Sequence, residues 1–320
     1  MTFSCNGRFC PTCGKKATDQ WVNKQLSVLP DCPFQHITFT MPGALWPYFK
    51  EDRTLLNQVA KLAAECISEI AKNKKGIKVG IFTALHSFGH DLKWNIHVHL
   101  SVTMGGLDQS NQWKNIRFSP NILMKMWRYR IIKLLRNAKK EGKISVDEKT
   151  LNTAYEQHWF VHMAKLTKNA NKTVSYLGRY IKRPPISMAK IKHYDGKEVT
   201  FKYIDRTDNK HKTTTFDAET FIQRLTDHIH DKNFRLIRYY GFLANCLRGN
   251  LLPIVQRLFG TIRDENYQIF WRTLFKNSFG IDPLQCILCQ SNMVFVGIDF
   301  GSKAKDIKKY HQALATGRML

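Results

Sequence analysis

The sequence predicts an α+β fold in which a central antiparallel sheet carries flanking helices. Three observations point to it. Gln35 to Met41 alternates apolar Ile37, Phe39 and Met41 with polar His36, Thr38 and Thr40, the period of a half-buried strand. Lys78 to His86 and Trp94 to Thr103 are two more strand-like runs joined by a short loop containing Gly89, which makes them a hairpin and their pairing antiparallel. Around these strands the apolar spacing turns helical without the regular strand–helix–strand alternation that builds a parallel sheet.

Taken in order, residues Cys5 to Cys13 form a short cysteine knuckle, followed by a basic helix over Lys15 to Leu29 that ends at Pro30, Asp31 and Pro33. The first strand follows. From Asp52 to Lys72, Leu55, Leu56, Val59, Leu62, Ala63, Cys66, Ile67 and Ile70 recur at helical spacing. After the hairpin, Ser119 reads as an N-cap and Pro120 as the first residue of a helix whose stripe runs through Leu123, Trp127, Ile131 and Leu135. Trp159 to Ala164 is a fourth strand. Residues 171–183 form a helix stopped by Pro184 and Pro185. Beyond Pro185 the texture changes: strand-like arms flank an Asp195-Gly196 turn, Asp217 to His230 is an amphipathic helix, and the remainder is helical, basic and closed by Cys286-x2-Cys289. The expected organisation is a cysteine-rich module over 1–32, a main domain over 33–188 and a hairpin-and-helix region over 189–320. Cys66 and Cys246, in apolar helical contexts, are expected in the core.

A chain of 320 residues has room for one large core. Its 50 Lys and Arg against 25 Asp and Glu leave a formal charge of +25, which calls for a polyanionic partner, nucleic acid first among them. No run of about 18 apolar residues occurs, and the N-terminus has no charged segment followed by an apolar one, so a membrane location is not expected and an intracellular, soluble protein is. Eight cysteines in this length do not make a disulfide scaffold, and the clustered ones read as metal ligands in a reducing compartment.

Two motifs carry chemistry. In Trp94-Asn95-Ile96-His97-Val98-His99-Leu100-Ser101-Val102-Thr103 the strand period sends Trp94, Ile96, Val98, Leu100 and Val102 to the core and sets His97 and His99 side by side on the other face. Two imidazoles preset by a stiff strand suit a divalent metal with coordination positions left open. Standing alone, a His-x-His is also what two partly exposed histidines on a sheet look like. In Ser175-Tyr176-Leu177-Gly178-Arg179-Tyr180-Ile181-Lys182-Arg183, Tyr176 and Tyr180 fall one helical turn apart, about 5–6 Å between Cβ atoms, beside three cations. Those cations matter because a phenol with an ordinary pKa of about 10 is a poor nucleophile unaided. Standing alone, the pair is equally two aromatic residues of a packed helix.

Together these motifs resemble the two-tyrosine rolling-circle transposases of bacterial insertion sequences, a branch of the HUH nuclease class. The resemblance also takes in Cys10-Pro11-Thr12-Cys13-Gly14-Lys15-Lys16, Phe39-Thr40-Met41-Pro42, Leu85-His86-Ser87-Phe88-Gly89, and Arg238-Tyr239-Tyr240-Gly241-Phe242-Leu243. Its last piece is Asp282-Pro283-Leu284-Gln285-Cys286 with Cys289, so it covers most of the chain. It implies a sheet presenting His97 and His99, with Tyr176 and Tyr180 on a helix above it. Bound Mg²⁺ or Mn²⁺ would polarise the scissile phosphate of single-stranded DNA at transposon ends and target, and a 5′-phosphotyrosine link would form. Lys15, Lys16, Arg179, Lys182 and Arg183 would contact that DNA, and the protein would be bacterial, cytoplasmic and nucleoid-associated. The expected third metal ligand is His86, which ends the strand before the hairpin turn, with His90 in the turn as the alternative.

The sequence departs from the family pattern at Asn95, where relatives commonly carry a further histidine. It also begins almost at Cys5, where relatives have an earlier ligand set, so a truncated copy is expected. Cys5, Cys10 and Cys13 supply three of the four ligands a structural zinc normally takes, the fourth being Cys32 or a residue missing from this chain. A relaxase or replication initiator would share the chemistry. A degenerate transposase that binds DNA without cutting it is the reading from another class.

Overall fold

The computed structural model describes residues 10–167, 170, 173, 174, 178, 185–205, 208–261, 271–286 and 288–294. By their contacts the residues divide into two units, Met1–Gln268 and Ile269–Leu320. The larger unit is α+β, built on a six-stranded antiparallel sheet in the order β5-β1-β3-β2-β9, with β4 beside β3. Its strands are β1 (Phe34–Thr40), β2 (Lys78–Phe88), β3 (Trp94–Leu107), β4 (Trp113–Asn115), β5 (Val161–Met163) and β9 (Ile237–Gly241). The long pair β2 and β3 forms the predicted hairpin and stands at the centre.

Helices α2 (Trp46–Glu51), α3 (Leu56–Lys75), α4 (Pro120–Lys140) and α5 (Glu148–Glu156) supply one side. Val59, Ala63 and Ile67 of α3 join Trp127, Ile131 and Leu135 of α4 in a cluster with Ile37, Phe39, Ile81, Leu85, Val98, Leu100 and Val102 of the sheet. The alternation read from the sequence thus selects the face that is buried. Trp127 also donates its indole N–H to the Thr40 carbonyl at 2.7 Å, tying α4 to the end of β1. Pro120 opens α4 after Ser119, as its fixed φ and missing N–H allow. A left-handed Gly76 (φ 64°) ends α3.

The other side has a smaller cluster. Here α1 (Pro11–Val28) and α7 (Asn245–Leu258) bring Trp21, Leu252 and Val255 against Phe34, Phe82 and Phe242, and buried Ala170 and Val174 belong to the same cluster. Gly178 lies so close to α1 that a Cβ there would fall 2.3 Å from Val22 Cγ2. Gly241, at φ 62°, ends β9 where a Cβ would meet the Val79 carbonyl at 1.7 Å, so this edge needs glycine for both backbone and space.

A three-stranded sheet of β6 (Ile191–Tyr194), β7 (Glu198–Ile204) and β8 (His211–Asp217) packs on α6 (Ala218–Thr226) through Val199, Phe201 and Phe221. The expected turn is there: Asp195 Oδ1 accepts from the Lys197 and Glu198 N–H groups, and Gly196 has φ 92°. The structure differs from the sequence reading in four places. A third strand, β8, precedes the helix expected from Asp217, because Thr213, Thr214 and Thr215 suit a pleated surface. The fourth strand is shorter than predicted. The region expected as a separate C-terminal part returns β9 to the main sheet. Cys246 is exposed and not core, since α7 buries Leu252 and Val255 on a different face, whereas Cys66 is fully buried.

In the smaller unit, α8 (Trp271–Phe279) is held by a two-pronged ion pair from Arg272 to Asp282 at 2.8 and 2.9 Å. Cys289 lies 2.9 Å from the Ser291 hydroxyl, and that contact is the main reason its thiol titrates low, at about 7. No helix among the described residues is long and apolar enough to cross a membrane.

Candidate metal centre

Antiparallel register builds the centre. His86 of β2 stands opposite His97 of β3, and Thr38 of β1 stands opposite His99. Directly opposed residues of a sheet share a face, so three imidazoles from one hairpin converge. Their ligand nitrogens all lie within 4.8 Å of one another, and among the described residues this is the only such group of three or more His, Cys, Asp or Glu. The ring centroids are 5.3 Å apart for His86 and His97, 4.8 Å for His86 and His99, and 5.0 Å for His97 and His99. His90, the alternative third ligand, is exposed in the turn outside this group.

Neighbouring groups orient the rings. His97 Nδ1 donates to the Asn95 carbonyl at 3.0 Å, which fixes the orientation of its ring and makes Nε2 the lone-pair nitrogen. This is the part Asn95 plays here, through its backbone. His99 Nδ1 lies 3.2 Å from Nε2 of His36, whose Nδ1 lies 3.3 Å from the Ser101 hydroxyl. The His36 and His99 rings stack at 5.3 Å, with Thr38 Oγ1 3.4 Å from each of the two nitrogens. Burial, helped by the nearby charge of His162, pushes His36 down to about 4, so its ring is neutral at physiological pH and able to accept from one side and donate to the other. His36 is the functional neighbour that the sequence reading left unassigned. Its position on the polar face of β1, with Thr38 and Thr40, was the available signal.

The other predicted residues fall elsewhere. Cys10 is the N-cap of α1 and half-buried, and Cys13 lies in the first turn and is buried. They form a helix-start pair that fits two of the thiolates of a structural zinc, while Cys5 lies outside the described residues. Cys32 is fully buried beside Trp21, Leu29 and Phe34, and burial pushes its thiol up to about 12. Lys15 is exposed and Lys16 half-exposed on α1. Tyr176, Arg179, Tyr180, Lys182 and Arg183 lie outside the described residues.

An antiparallel α+β fold that raises a histidine trio on its central hairpin is of the HUH-like class. Residues 80–250 match the family described as "Putative transposase", and residues 1–41 match a "Transposase zinc-binding domain". The chain is 38% identical over 328 residues to the transposase for insertion sequence element IS801 of Pseudomonas savastanoi pv. phaseolicola, covering 98% of this chain and 80% of that protein. It is 28% identical over 278 residues to the putative transposase y4qJ of Sinorhizobium fredii, covering 80% of this chain and 70% of that protein. No solved structure matches. The chain belongs to the two-tyrosine rolling-circle transposase family of bacterial insertion sequences, and is a DNA-processing enzyme.

Proposed function

We propose that this transposase cuts and rejoins single-stranded DNA at the His86, His97 and His99 centre, with Tyr176 and Tyr180 as nucleophiles. The observation that carries the reading is the convergence of three imidazoles on one hairpin. Three nitrogen donors leave positions for phosphate oxygens and water. A bound divalent ion, Mg²⁺ or Mn²⁺, would supply Lewis-acid stabilisation of charge on the scissile phosphate. Neutral His36 holds His99 in one orientation, and the Asn95 carbonyl does the same for His97.

One tyrosine oxygen forms a bond to phosphorus as its proton passes to solvent, and the phosphorus–O3′ bond breaks. The products are a 5′-phosphotyrosine and a free 3′-hydroxyl that takes up a proton. Reversal by another 3′-hydroxyl rejoins DNA without ATP. Two tyrosines one turn apart suit two transfers, with Tyr176 first, nearer the positive end of its helix. Buried Ala170 and Val174 and the Gly178 contact with Val22 support placing this segment on the histidine face. Lys15, Lys16, Arg179, Lys182 and Arg183 contact DNA phosphates, and Cys5, Cys10 and Cys13 hold a structural zinc.

The test is incubation with a single-stranded oligonucleotide and Mn²⁺, followed by a denaturing gel. A covalent adduct is expected for the wild type, lost in Tyr176→Phe combined with Tyr180→Phe. An undiminished adduct in the double variant removes tyrosine catalysis from this helix.

A further inference from the structure

A cleft of about 570 Å³ runs along the edge of the sheet at β9, lined in part by Asn57 and Lys61 of α3, by Arg235 and Arg238, and by Asn245 at the start of α7. This is within the size range of ligand-binding clefts, roughly 300–1,000 Å³. Of its residues, Arg238, Tyr239 and Tyr240 fall in a stretch shared with the family.

The charge of this cleft is of one sign. Its lining includes three cations and no carboxylate. Among the described residues neither Arg235 nor Arg238 makes an ion pair, and Lys61 reaches Glu65 only at 3.8 Å on an exposed helix face. Arg238 is nevertheless fixed in place: its guanidinium donates to the Asn57 backbone carbonyl at 2.8 Å, to Asn57 Oδ1 at 2.7 Å and to the Arg235 carbonyl at 3.2 Å. All three acceptors are neutral. The side chain is therefore preorganised while its charge stays uncompensated by a carboxylate, and its two remaining N–H groups and its fixed charge suit a phosphate oxygen.

Position gives the second argument. Strand β9 pairs with β2, the strand that carries His86, and neighbouring strands lie about 4.8 Å apart. The pairing runs past the named strand, because the Leu85 N–H donates to the Leu236 carbonyl at 3.1 Å. Leu85 precedes His86 in the chain, and in the antiparallel sense the next residue on the partner is Arg235. The cleft opens on the α3 side of this edge, where Arg238 and Tyr240 stand opposite Thr83 and Ile81, one strand from His86 but on the other face of the sheet, so a DNA strand that reaches both passes around the β9 edge.

We infer that the β9 cleft binds the phosphodiester backbone of the DNA strand adjoining the phosphate presented to the histidines. That the DNA belongs to the cleaved strand rests on the function proposed above; that the cleft takes nucleic-acid phosphate does not.

The experiment measures binding without cleavage. The full chain is titrated into a fluorescently labelled single-stranded oligonucleotide without added Mg²⁺ or Mn²⁺, over a series of salt concentrations. Lys61→Ala combined with Arg235→Ala removes two exposed cations. With about 0.7 of salt slope per phosphate contact on a single strand, the loss of affinity between 50 and 200 mM salt should shrink by about sevenfold in this variant. Lys72→Ala combined with Lys74→Ala, two exposed lysines at the far end of α3, is the matched control and should retain the wild-type slope. An unchanged slope in the cleft variant, or an equal drop in the control, overturns the inference. Thermal unfolding checks the fold, and Lys61→Gln with Arg235→Gln takes over the test if the alanine pair is destabilised. His97→Ala should bind like the wild type here. If the wild type forms no adduct while the cleft variant loses slope, the cleavage reading fails and the cleft remains.

Discussion

On one face of the central sheet Ile81, Leu85, Val98, Leu100 and Val102 are each at most 1% exposed and packed against α3 and α4. On the other face of the same strands stand His86, His97, His99 and, on β1, His36. The two sides share one backbone and one pleat. They differ in what a substitution removes. A leucine on the packed face contributes volume and apolar area, for which another side chain of similar shape can stand in. A histidine on the other face contributes one nitrogen at one place, fixed by a carbonyl, a hydroxyl or another ring, and nothing of similar size replaces it. Stability is spread over many residues, whereas the chemistry depends on a few.

The largest effect expected from this contrast is on the histidine face. His97→Ala or His99→Ala should lower the adduct-forming rate by about a thousandfold or more, since the divalent ion proposed for this centre would supply several kcal/mol of charge stabilisation and each 1.36 kcal/mol is tenfold. Single-strand affinity measured by anisotropy should stay within a few-fold, because it comes from the basic surface. Either variant cutting at the normal rate would remove these residues from the centre.

Next comes the packed face. Leu100→Ala should cost about 2–5 kcal/mol in urea unfolding, through lost transfer energy and the cavity left behind. Its Mn²⁺ affinity per folded molecule should not change. A loss of metal binding in the folded state would show that the two faces are coupled and that the separation argued above is too clean.

His36→Ala tests whether neighbours of the trio count. Removing the ring 3.2 Å from His99 should weaken Mn²⁺ binding by about 10–100-fold, read by calorimetry, with smaller loss of global stability than for Leu100→Ala. Equal metal affinity in the variant and the wild type would make His36 a packing residue only. The smallest effects concern the two helical cysteines. Cys66→Ser puts a hydroxyl into the apolar face and should cost about 1–3 kcal/mol, against less than about 0.5 kcal/mol for exposed Cys246→Ser, both by thermal unfolding.

The same contrast explains how much could be read from the sequence. Helix stripes and the hairpin are local, so α3, α4, β2 and β3 were legible from their own periods, as was the shared face of His97 and His99. His86 was reachable by one further step, the antiparallel sense of a short-looped hairpin. His36 was not, because its partnership depends on the β1–β3 register, set by residues far apart in the chain. Strand β9 escaped for a different reason: Ile237-Arg238-Tyr239-Tyr240-Gly241 lies on an edge, exposes both sides in part and so shows no alternation. The cysteine pair at α1 was visible as spacing, but spacing alone does not supply the remaining ligands.

That all three imidazoles belong to one hairpin has a kinetic consequence. A centre assembled from distant segments must wait for long loops to close, and closing them is slow. Here the residues concerned meet when β2 zips onto β3, an event that takes about 1–10 μs in isolated hairpins. Because a lone hairpin is only marginally stable in water, the cluster would flicker until β1 and the two helical layers arrive to hold it. During refolding, then, the order of events should be imidazole convergence first and ring locking by His36 second, when β1 docks.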